Sequence, residues 1–118
     1  MSTTNDTVEI LLECRRKLRE PVRLTRGAYA RDAAGRRVNA RSPAACCWCA
    51  MGVVFSVSGY QNHRTNSALS ALSRAASRFT GLALKTYSDR LGHLEVLGLF
   101  DEAITELEVP RWKVVGRR

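Results

Sequence analysis

The 118-residue chain has no charged side chain of either sign between Ser42 and Asn62, no lysine or arginine between residues 91 and 110, and only three lysines, Lys17, Lys85 and Lys113. It contains no glycine-rich phosphate loop, no Walker motif and no H-E-x-x-H helix, so the common nucleotide-cradling and zinc-protease devices are absent. No two carboxylates are placed for acid–base work. There is no internal repeat and no low-complexity tract. Met1 to Thr7 is polar and lacks a basic stretch followed by an apolar run, so no targeting segment is expected there. A cytoplasmic location with reduced cysteines is the expectation. Aromatic residues are scarce, at 7%. Tyr29 is the only one inside the basic block described next, which weakens any base-stacking platform.

What is present is arginine. Sixteen of the 19 cations are Arg, and the net charge is +8. The charge is layered along the chain. Residues 1–14 carry −3, residues 15–41 carry +8, residues 63–90 carry +4, residues 91–110 carry −5, and residues 111–118 carry +4. Such segregation predicts a polar molecule with a distinct cationic face. With 45% hydrophobic and 25% charged residues the composition is that of an ordinary globular domain, long enough to bury a core without a disulfide or metal staple.

The hydrophobic spacing predicts a mainly α (α+β) fold. Four helices form a compact domain, with one short Arg-rich β-hairpin between helix 1 and a buried central helix 2. Residues 1–6 are expected to be disordered, 7–109 to form a single helical domain, and 110–118 to be a basic tail. Helix 1 runs from Thr7 to Arg19 with Ile10, Leu11, Cys14 and Leu18 on one face, and Pro21 ends it. Asp32-Ala33-Ala34-Gly35 carries a type I turn signature. It joins Ala28–Arg31 to Arg36–Val38 as a hairpin that needs little core and reads as an arm. Ser42-Pro43 reads as the start of helix 2, with Ser as N-cap and Pro at the first position. The uncharged run is long enough to span a bilayer. Its Ser56, Ser58, Gly52 and Gly59 favour instead a helix buried in the core. Helix 3 is capped by Asn62 or Thr65 and runs through Phe79, burying Ala68, Leu72, Ala75 and Phe79. Leu82–Tyr87 reads as a brief extended piece. Helix 4 is capped by Ser88 or Asp89 and turns Leu94, Leu97, Phe100, Ile104 and Leu107 inward, with Glu95, Glu102 and Glu106 outward.

Several blocks resemble a known family. They are Gly27-Ala28-Tyr29-Ala30-Arg31-Asp32-Ala33-Ala34-Gly35-Arg36-Arg37-Val38, then Ser42-Pro43, Trp48-Cys49-Ala50-Met51-Gly52, Tyr87-Ser88-Asp89 and Glu95-Val96-Leu97-Gly98-Leu99-Phe100-Asp101-Glu102-Ala103-Ile104. Over roughly residues 10 to 107 the chain resembles a family of small uncharacterised domains common in actinobacteria and their phages. The resemblance implies a self-contained, mostly helical domain and carries over no catalytic residue.

Candidate chemistry is sparse. Cys46 and Cys49 form a C-x-x-C on one face of the expected helix 2. A zinc site needs further ligands from Cys14, Cys47, His63 or His93, and core packing is the favoured reading of the thiols. His93-x-Glu95 with the C-x-x-C has the parts of a zinc deaminase in reversed order. Cys49, His93 and Asp89 could form a thiol triad, but nothing local raises the thiolate fraction. No catalytic residue, metal or cofactor is assigned. The nucleic-acid signal is stronger. Arg23, Arg26, Arg31, Arg36, Arg37 and Arg41 are candidate phosphate contacts, and Arg74 and Arg78 extend the track. The expectation is a small basic non-enzymatic binding protein, monomeric or homodimeric, that contacts nucleic acid or a nucleoprotein complex and no membrane. The alternative is a phage-encoded or accessory module that docks on a host protein, such as an inhibitor of a defence complex. A zinc- or thiol-dependent enzyme is the remote alternative.

Overall fold

The structure is a computed structural model that describes residues 3–60, 62–80 and 92–108. Helix α1 spans Thr3–Lys17, and a 3-10 turn covers Pro21–Arg23. Strands β1 (Ala30–Arg31) and β2 (Cys47–Trp48) follow, then α2 (Ala50–Ser58), α3 (His63–Thr80) and α4 (His93–Glu108). The chain is thus mainly helical, with four helices and one two-stranded antiparallel sheet among the described residues.

Helix α1 begins at Thr3, inside the segment expected to lack structure. Asp6 lies in its first turn and Arg15, Arg16 and Lys17 in its last, the charge order that complements the helix dipole. Ile10, Leu11, Cys14 and Leu18 are all buried, as their spacing predicts. They face α2, α3 and α4, each of which packs on α1. Asn62 caps α3: its Oδ1 accepts the Thr65 N–H at 2.9 Å. At the start of α4, Glu95 Oε1 accepts the Gly92 N–H at 2.9 Å, the reciprocal half of a capping box. The inward stripe of α4 is Val96, Leu97, Leu99, Phe100, Ala103 and Ile104. Leu94, expected inside, is 80% exposed. It stands two residues before Val96, about 140° round the helix from the centre of that stripe. The extended piece at 82–87, the caps at Ser88 or Asp89 and the tail at 110–118 lie outside the described residues, as does the side chain of Phe79.

The largest departure from expectation is at residues 42–49. The expected helix 2 does not start at Ser42. Ser42 Oγ accepts the Ala44 N–H at 3.1 Å, and the Ala45 N–H bonds the Ser42 carbonyl at 3.1 Å, which closes a single turn. The chain then extends into β2. Ala30 pairs with Trp48 and Arg31 with Cys47. The Cys46 N–H reaches the Arg31 carbonyl at 2.8 Å and the Cys49 N–H reaches the Tyr29 carbonyl at 3.2 Å. Ser-Pro is equally at home opening a turn, and a partner strand 16 to 18 residues away satisfies these backbone groups instead of a helical ladder. Helix α2 is therefore short. Its Ala50, Gly52, Val53, Val54 and Phe55 are nonetheless buried, so the central placement stands.

The hairpin also differs from an arm. The Asp32–Gly35 turn forms, with Arg31 bridged to Arg37. But Ala30 is fully buried, and β1 is the centre of a small sheet-like junction between the turn and β2. The Trp48 carbonyl accepts the Thr25 N–H at 3.0 Å on the other side. This junction holds the arginine-rich connection against the helices.

Candidate nucleic-acid interface

Residues 19–49 carry seven arginines against two acids, Glu20 and Asp32. Both acids sit in short-range ion pairs, Glu20 with Arg23 at 3.9 Å and Asp32 with Arg36 at 3.1 Å. The surface around the α1–α2 connection therefore keeps a net positive charge.

The individual arginines differ in role. Arg31 is half-buried and its guanidinium braces the connection. Nε donates to Thr25 Oγ1 at 3.1 Å, Nη1 to the Gly35 carbonyl at 3.0 Å and Nη2 to the Arg26 carbonyl at 3.1 Å. Arg41 Nη1 donates to the Phe55 and Ser56 carbonyls at 3.1 and 3.2 Å, which places a cation at the negative end of α2. Arg23, Arg26, Arg36 and Arg37 are exposed. The Arg37 guanidinium makes no ion pair among the described residues. Arg74 and Arg78 stand elsewhere, on α3 facing α4. Arg74 pairs with Glu106 at 3.3 Å, and Arg78 with Glu102 at 3.1 Å and Glu106 at 2.6 Å. Their charge is matched within the fold.

Lys17 was not singled out by its sequence position. It ends α1, and its Nζ donates to Ser56 Oγ at 3.1 Å while lying 4.3 Å from the Trp48 ring centroid, a cation–π contact. Partial burial pushes its pKa below the usual lysine value, and the nearby Arg23 and Arg41 charges push the same way. With Glu13, Arg16, Arg19, Glu20 and Arg23 it lines an open depression of about 450 Å³. The only hint in the sequence was its membership of the basic block.

The turn is held by Asp32. Its Oδ1 accepts the N–H groups of Arg36 and Ala34 at 2.9 and 3.0 Å. These bonds, the Arg36 N–H foremost, and the Arg36 charge hold the carboxyl below its ordinary pKa. A depressed carboxylate pKa contributes stability that is present above the unfolded value, about 3.9, and is lost as pH falls through the folded one. The Asp32 turn is thus expected to be insensitive to pH above about 5 and to loosen only below about 4. Carboxyl chemical shifts followed by NMR titration check this. A midpoint above that of a model peptide would contradict it.

The thiols do not assemble a site. Cys46 is exposed, and Cys49 is buried at the N-cap of α2 with its Sγ accepting the Gly52 N–H at 3.3 Å. Cys46 and Cys49 thus do not share a helix face, because β2 occupies residues 47–48. Cys14 is buried, and desolvation pushes its thiol strongly up, away from thiolate. His93 Nε2 lies 2.5 Å from the Leu18 carbonyl. A carbonyl only accepts, so Nε2 carries the proton and ties the start of α4 to the end of α1. Among the described residues no group of three or more His, Cys, Asp and Glu side chains is arranged to hold a metal ion, and no helix is long and apolar enough to cross a membrane.

Residues 2–106 match the family described as "Family of unknown function (DUF6197)". No curated protein and no solved structure matches the chain.

Proposed function

Because the chain belongs to that family, which lends it no activity, its role has to be argued from its own surface, and we propose that it is a small non-enzymatic protein that binds nucleic acid, free or within a nucleoprotein complex, through the α1–α2 connection. The observation that carries this reading is the uneven fate of the arginines. Arg74 and Arg78 on α3 are paired with α4 acids, whereas Arg23, Arg26, Arg36, Arg37 and Arg41 share one connection whose only acids are Glu20 and Asp32. Planar guanidinium groups spaced along a braced loop suit phosphate oxygens. The competing idea, docking on a host protein through the acidic α4, has less support: Asp101, Glu102 and Glu106 already pair with Arg15, Arg74 and Arg78. A cytoplasmic setting and a phage or actinobacterial origin accord with this role and belong to the same proposal.

Binding driven by phosphate contacts releases counterions, so log affinity must fall linearly with log salt. Arg36→Ala with Arg37→Ala is expected to weaken binding of every sequence alike and to reduce the salt slope by about 2. Fluorescence anisotropy across a salt series measures both. Absence of any complex at low salt would sink the reading.

A further inference from the structure

The tertiary structure adds an aromatic component that the sequence conceals. Tyr29 lies in the arginine-rich connection, whereas Phe55 and Tyr60 lie beyond it in and after α2. The fold brings the three into a row. The Tyr29 and Phe55 ring centroids are 5.0 Å apart, edge to face, and those of Phe55 and Tyr60 are 4.7 Å apart and stacked. Tyr60 is itself anchored, because its hydroxyl accepts the Ala40 N–H at 2.8 Å. Ala40 precedes Arg41, whose guanidinium sits on the Phe55 carbonyl. The row therefore ends beside the Arg41 cation, whose Nε and Nη2 have no hydrogen-bond partner among the described residues.

Tyr29 is the exposed end of this row. It is 46% exposed and is the only aromatic among the large apolar side chains exposed on the described surface. Its backbone is held: the carbonyl accepts the Cys49 N–H, Gly52 packs directly against it, and the next residue pairs with Trp48. Arg26 and Arg31 flank it in the chain. An exposed ring on a held backbone in a cationic loop matches a ligand that carries both phosphate charge and free π-faces. A duplex keeps its base faces inside the stack, whereas a single strand can offer them.

We infer that the ligand of this interface is a single-stranded nucleic acid, with Tyr29 stacking on a base and the neighbouring arginines and Lys17 meeting the phosphates. This rests on the proposed function and specifies its substrate class.

The test uses the full chain and fluorescein-labelled oligothymidylate, the same length of abasic deoxyribose-phosphate strand, a mixed-sequence duplex, and oligouridylate, all at one salt concentration. The expected result is about tenfold tighter binding of the base-bearing strands than of the abasic strand, with the duplex weaker as well. Oligouridylate against oligothymidylate tells RNA from DNA, and tighter binding of either than of the duplex supports the inference. Tyr29→Ala should lose about the same tenfold on oligothymidylate and nothing on the abasic strand, while Tyr29→Phe stays within about twofold of the unmodified protein. The abasic arm needs no variant, so it decides even if Tyr29→Ala misfolds. Equal affinity for abasic, duplex and base-bearing strands, with the salt slope intact, overturns this inference and leaves the phosphate-binding reading standing. Failure of every probe to bind at low salt overturns both.

Discussion

Replacing Gly52 with alanine is expected to destabilise the protein by about 3 kcal/mol or more, lowering its thermal midpoint by about 10 °C or leaving little folded material. The reason is local and steric. A Cβ at Gly52 would stand 1.8 Å from the Tyr29 carbonyl oxygen, 2.6 Å from its carbon and 2.9 Å from the Tyr29 Cα. These are backbone atoms, not the movable end of a side chain. They have little room to retreat, since the same carbonyl accepts the Cys49 N–H and Ala30 is paired with Trp48. A methyl group would force the first turn of α2 away from β1 and break the junction that carries the arginine-rich connection. Gly98, in the middle of α4 with open space where its Cβ would lie, provides the contrast. Gly98→Ala is expected to stabilise by about 0.5–1 kcal/mol through helix propensity alone. Thermal denaturation followed by circular dichroism compares the two. If Gly52→Ala melts within a few degrees of the unmodified protein, the close approach of α2 to Tyr29 is wrong.

Trp48→Ala is expected to cost about 3–5 kcal/mol. The indole is 5% exposed and makes three kinds of contact. Its Nε1–H donates to the Ala40 carbonyl at 2.9 Å, its ring lies under Lys17 Nζ, and its backbone joins β1 on one side and Leu24–Thr25 on the other. Trp48→Phe separates these contributions. It keeps most of the apolar bulk and a π-face but leaves the buried Ala40 carbonyl without its donor, at a cost of about 1–3 kcal/mol. Denaturant midpoints at constant m should therefore rank the unmodified protein above Trp48→Phe and Trp48→Phe above Trp48→Ala. Identical midpoints for Trp48→Phe and the unmodified protein would mean that the indole–carbonyl bond contributes nothing.

Both predictions centre on residues 29–31 and 46–52, where reading the sequence and solving the packing diverge most. Periodicity found the buried stripes of α1 and α3, and that of α4 apart from Leu94 and its start at His93, because each stripe recurs at helical spacing along a short stretch of chain: Ile10, Leu11, Cys14 and Leu18 in the first, Ala68, Leu72 and Ala75 in the second. The Asp32–Gly35 turn was equally legible, since the Asp32 side chain bonds backbone groups no more than four positions along the chain. Cys46–Trp48 was not. An uncharged, apolar run satisfies the hydrophobic pattern of a buried helix and of a buried strand alike, and only the partner decides. Here the partner is Ala30–Arg31. The candidate interface divides the same way. The abundance of arginine in the connection is plain in the chain. That Arg74 and Arg78 are matched by Glu102 and Glu106 is not, because the pairs join residues 24 to 32 positions apart. Nor could the aromatic row be read, since Tyr29 and Phe55 meet only after β2 turns the chain back.

The order of amino acids settles whatever a few neighbouring residues can satisfy among themselves: helix faces, caps, the tight turn, and the excess of arginine over acid. The folded arrangement alone settles which backbone groups pair across long stretches of chain, which charges are cancelled and which stay available, and where Gly52 must leave room. Those outcomes depend on burying one common core, and competing local conformations of similar free energy are chosen by the contacts that core allows.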